Sequence, residues 1–72
     1  MSEKNKAYLL SYQDGIFEQI KKGDFDFESE IGHIHKKYEA ASVLQDFDTM
    51  DYYGFMLSWL NRQRLFFYLG GN

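Results

Sequence analysis

Between Met50 and Leu69 the apolar residues occupy two sides of a helix where one is usual. With Met50 at 0° and a turn of 100° per residue, Tyr53, Met56, Leu57, Leu60 and Phe67 gather between roughly 240° and 340°. Tyr52, Phe55, Trp59 and Phe66 gather between roughly 140° and 200°. Only an arc from roughly 20° to 120° is mostly polar, with Asp51, Ser58, Asn61 and Arg62. A surface helix shows a single apolar stripe. A helix with two must lie centrally in its fold or bury its second side against another chain.

Size sharpens that choice. The chain has 72 residues, enough for one domain and no more. A folded monomer of this mass exposes roughly 4,700 Å² of the roughly 12,500 Å² open in the unfolded chain. Seven Phe, six Tyr and one Trp compete with eighteen aliphatic, Met and Ala residues for that small interior. At roughly 200 Å² each, the aromatic side chains alone ask to bury about 2,800 Å². Chains below roughly 70–80 residues seldom draw more than 3–5 kcal/mol from one core and need a further staple. There is no cysteine, so disulfides are excluded. Association with a second copy or another protein is the staple that remains.

The rest of the chain reads as two more helices. From Glu3 to Lys22, the residues Leu9, Leu10, Tyr12, Ile16, Phe17 and Ile20 fall within an arc of roughly 160°. Ser2 is an N-cap candidate, and Lys21, Lys22 and Gly23 are stop signals. Asp14-Gly15 would suit a hairpin turn, but the flanking residues then give no cleanly apolar sheet face. A second helix is expected over residues 27–45, capped by Asp26, with Phe27, Ile31, Ile34, Tyr38 and Ala41 spaced as a narrow seam. The third is expected over residues 49–69, with Asp48 as its cap, Phe47 stapled onto Tyr52, and Gly70 and Gly71 as its end. Connections this short make neighbouring helices antiparallel. The expected fold is a single all-α domain, a small three-helix bundle that dimerises through the C-terminal helix.

No catalytic arrangement is legible. The chain has no thiol nucleophile, glycine-rich phosphate loop, G-x-S-x-G elbow or H-E-x-x-H pair. His33 and His35 stand roughly 200° apart on a helix and so cannot share one metal. His35 and Glu39 are four residues apart, which suits an ion pair better than a metal site. Asp24, Asp26 and Glu28 open like a calcium loop, but Ser29 stands where glycine is needed and His35 where the closing glutamate is needed. A non-enzymatic protein with no cofactor and no metal is expected.

Charge is unevenly placed. Residues 24–51 carry Lys36 and Lys37 against eight acids, a balance of −6 within a chain of −3. Direct nucleic-acid binding is not expected, because it needs many cations against phosphates. No apolar run approaches the roughly 18 residues of a membrane span, and no secretory leader is legible, so a cytoplasmic location is expected.

The leading functional expectation is an interaction module that self-associates and binds, regulates or inhibits another protein. Its interface residues are Tyr52, Phe55, Trp59, Arg62 and Phe66, types enriched at interface centres. Small acidic chains without cysteine are frequent among phage and mobile-element host modulators, a likeness of habit only. The alternative is an acidic nucleic-acid mimic. It would present Asp24, Asp26, Glu28, Glu30, Asp46, Asp48 and Asp51 to the basic groove of a nucleic-acid-binding protein. A weaker alternative is an oligomer that encloses a small ligand between subunits.

Overall fold

A computed structural model describes residues 2–69. Among them three helices form and no strand: α1 (Glu3–Lys22), α2 (Phe27–Val43) and α3 (Phe47–Tyr68). The first begins where Ser2 accepts a hydrogen bond from the Asn5 backbone N–H. It ends where Gly23, at φ +81°, enters the left-handed region that a residue without Cβ adopts most readily. Helix α2 starts at the expected Asp26 cap, whose carboxylate accepts from Ser29 N. The expected stops at Gly70 and Gly71 lie outside the described residues.

The α2–α3 connection departs from expectation. Helix α2 ends at Val43, two residues early, and α3 begins at Phe47, two residues early. The reason is a compact reversal. Gln45 takes φ 56°, its N–H donates to Ser42 O, and Asp46 N–H donates to Ala41 O. Those paired bonds are the left-handed ending usually built on glycine. Asp46 then caps α3 itself, its carboxylate accepting from the Thr49 N–H and hydroxyl. One residue closes one helix and opens the next, which displaces Asp48 from the capping role. Phe47 becomes the first helical residue and is exposed, so it does not serve as a staple.

Helix α3 is the central element. It packs closely along α2 and more loosely along α1, whereas the α1 and α2 backbones make no close approach. Asn5 donates to Asp48 at one end and Phe17 meets Trp59 further along, so α1 and α3 run parallel. Arg64 meets Glu28 while Tyr38 lies over Gly54, so α2 runs against α3. The main core cluster is Ile16 from α1, Ile34 from α2, and Met56, Trp59 and Leu60 from α3, and Phe27 and Ala41 of α2 are also buried. No buried polar side-chain atom lacks a partner among the described residues.

The packing is open for this size. The radius of gyration is 12.8 Å, against about 11 Å for a compact domain of this length. The accessible surface is 5239 Å², roughly 500 Å² above the area expected for the mass.

Candidate interaction surface

The five residues expected to form an interface do not all face outward. Trp59 is only 8% exposed and belongs to the core. Tyr52 is half-buried against that core and stacks on Tyr53, with ring centroids 5.1 Å apart. Burial, and then the neighbouring Tyr53 and Tyr8, push its phenol above the usual range. Phe55, Arg62 and Phe66 stand outside. Their spacing of seven and then four residues puts them on one side of α3. Phe55 is 56% exposed and Phe66 63%. The covered and open residues thus cut across both stripes: Met56, Leu60 and Trp59 are buried, Tyr52, Tyr53 and Leu57 pack half-buried against them, and Phe55, Phe66 and Phe67 remain on the surface.

Phe55 is a ridge between two grooves. On its α1 side, Lys6, Leu9 and Leu10 join it around a nearly wholly apolar groove of about 480 Å³. On its α2 side lies a second groove of about 360 Å³. Tyr38, Phe47, Met50 and Asp51 line that groove with Gly54 and Ser58. The wall built by Leu10 is not legible as surface in the sequence. Leu10 is 64% exposed although it lies in the apolar arc of α1. The available signal was its place at the edge of that arc. Phe17 lies near the same edge and is also partly open, at 40%. Val43, Leu44 and Phe47 form a further bare apolar tip at the α2–α3 turn.

The acidic residues do not converge. Asp24, Asp26, Glu28 and Glu30 lie at the α1–α2 turn and the start of α2, whereas Asp46, Asp48 and Asp51 lie at the start of α3. Those ends are separated by the 17 residues of α2, about 25 Å of helix. Most are already engaged within the fold. Asp26 and Asp46 are caps. Glu28 accepts from Arg64 at 2.6 Å, Glu30 from the Tyr12 hydroxyl at 2.6 Å, and Asp48 from Asn5 at 2.9 Å. His35 Nδ1 lies 3.1 Å from Glu39 Oε1 on the exposed side of α2. No group of three or more residues suited to holding a metal converges among the described residues. None of the described helices is long and apolar enough to cross a membrane.

Compared with known protein families, curated proteins and solved structures, the chain matches none.

Proposed function

We propose that this chain is a non-enzymatic protein–protein interaction module that self-associates through the outward side of α3 and, once assembled, binds and regulates another protein. The observation that carries this reading is the row Phe55, Arg62, Phe66, with two large rings left open to water on the central helix. Large apolar side chains left exposed along one side of a helix mark a candidate interaction site, and Phe and Arg are enriched at interface centres. The acidic-mimic alternative draws no support from the placement of its carboxylates, which are split between two ends of the bundle.

Sedimentation velocity over a dilution series tests the reading. The expected result is a species of twice the 8.6 kDa chain mass that dissociates on dilution. Replacing Phe55 and Phe66 together by Asp should leave a helical monomer at every concentration. A wild-type protein that sediments as a monomer throughout would contradict self-association.

A further inference from the structure

Resting on the proposed self-association, we infer that the occupant of the α1–α3 groove is the Phe55 ring of a second copy, with Lys6 of each chain set against Asp51 of the other.

Three observations carry this. The first is self-complementarity. Phe55 is a projecting ridge, and the groove lined by Lys6, Leu9 and Leu10 lies directly beside it on the same face. A two-fold axis requires that one patch match itself. An axis running along α3, between Phe55 and the groove, carries each ridge into the other copy's groove. Packing of side-chain ridges into grooves is the ordinary way helices meet.

The second observation is charge. Asp51 lines the groove on the far side of Phe55, and Lys6 lines the α1 wall of the near groove. The axis that seats Phe55 also brings the outer edge of one face onto the opposite edge of the other. That places Asp51 beside the partner's Lys6. Both lie at the same level of the bundle, because Asn5 bonds Asp48 across the starts of α1 and α3 at 2.9 Å. Lys6 has a contact of 3.4 Å to Glu3 within its own chain, but both side chains are largely exposed, so that pair is weak.

The third observation is area. Leu10, Phe17, Phe55 and Phe66 leave roughly 450 Å² of apolar surface open along the seam, taking roughly 200 Å² per large side chain and their exposures. A standard interface covers about 800 Å² per partner, of which about 65% is apolar in homodimers, or about 520 Å². The seam supplies most of the apolar surface one such interface needs.

A charge swap tests the arrangement on the full chain, with the dimer Kd read by sedimentation and folding checked by far-UV circular dichroism. Lys6→Glu and Asp51→Lys should each weaken the dimer about tenfold, since the pair occurs twice, and the double variant should recover most of that loss. Phe55→Ala should weaken it by about a hundredfold or more. If Phe55→Ala fails to fold, the swap still decides. A dimer whose Kd ignores both single swaps, or whose double variant shows no recovery, overturns this docking while leaving self-association standing. A wild-type monomer at every concentration overturns both and leaves the groove to a different protein.

Discussion

The ring of Phe17 stands edge-on to the indole of Trp59, with centroids 5.2 Å apart and planes at 84°. This contact ties α1 to the central helix beside Ile16, the buried core residue of α1. Truncating Trp59 to Ala should cost about 3–5 kcal/mol. A core of this size supplies about as much in total. Trp59→Ala is therefore expected to be largely unfolded, with a collapsed far-UV circular dichroism signal. A native helical signal and a cooperative melt would show that Trp59 carries less of the core than its burial indicates.

The reversal at Gln45 should be improvable. A side chain in the left-handed region costs about 1–2 kcal/mol, and glycine removes most of that strain at some entropic cost in the unfolded chain. Gln45→Gly should stabilise the fold by about 0.5 kcal/mol in urea titrations. The neighbouring Asp46→Ala should destabilise it by about 1 kcal/mol through loss of the α3 cap. An Asp46→Ala variant as stable as the wild type would remove Asp46 from that role.

Two glycines inside helices offer a separate check. Nothing stands within 4 Å of a Cβ built on Gly15 or on Gly32. Alanine at either site should stabilise the chain by about 0.8–1 kcal/mol through helix propensity alone. Loss of stability at Gly15 would mean that α1 does not run unbroken through Asp14-Gly15.

How much of this was legible in the sequence depends on what each residue signals. Ser2, Gly23 and Asp26 announce their roles through local chemistry, and all three act as read. Gln45 gives no such signal, because glutamine is an ordinary helix residue. Its left-handed turn exists because Asp46 can bond backward and forward at once, so the α2–α3 boundaries shifted. The periodicity of α3 shows two apolar stripes but not which residues of each are covered. That choice depends on where α1 and α2 settle, and the position of Leu10 at an arc edge shows how narrowly it is made. The acidic set looked continuous in sequence because a linear count ignores the length of α2, which carries its two halves apart.

The bond between Tyr12 and Glu30 predicts a pH limit. Tyr12 donates to Glu30 Oε2 at 2.6 Å. Burial first, and then the hydrogen bond and negative charge of Glu30, hold the phenol far above its usual range. Folding therefore favours the neutral phenol. Its stabilisation is fully present below about pH 10, the unfolded value. Above that the unfolded chain loses the proton while the folded one keeps it, so stability falls as pH rises. Thermal melts should show this decline, and Tyr12→Phe should flatten it. The same variant should lose about 1 kcal/mol at neutral pH through the missing hydrogen bond. An unchanged alkaline slope would assign the decline to other tyrosines.

Contact between copies can be observed without altering a residue. In a mixture of isotope-labelled and unlabelled protein, isotope-filtered nuclear Overhauser spectra report only protons on different chains. Cross-peaks are expected from the Phe55 ring of one copy to the Leu9 and Leu10 methyl groups of another. A dimer whose filtered spectrum lacks them, with those contacts seen only within one chain, would contradict this docking.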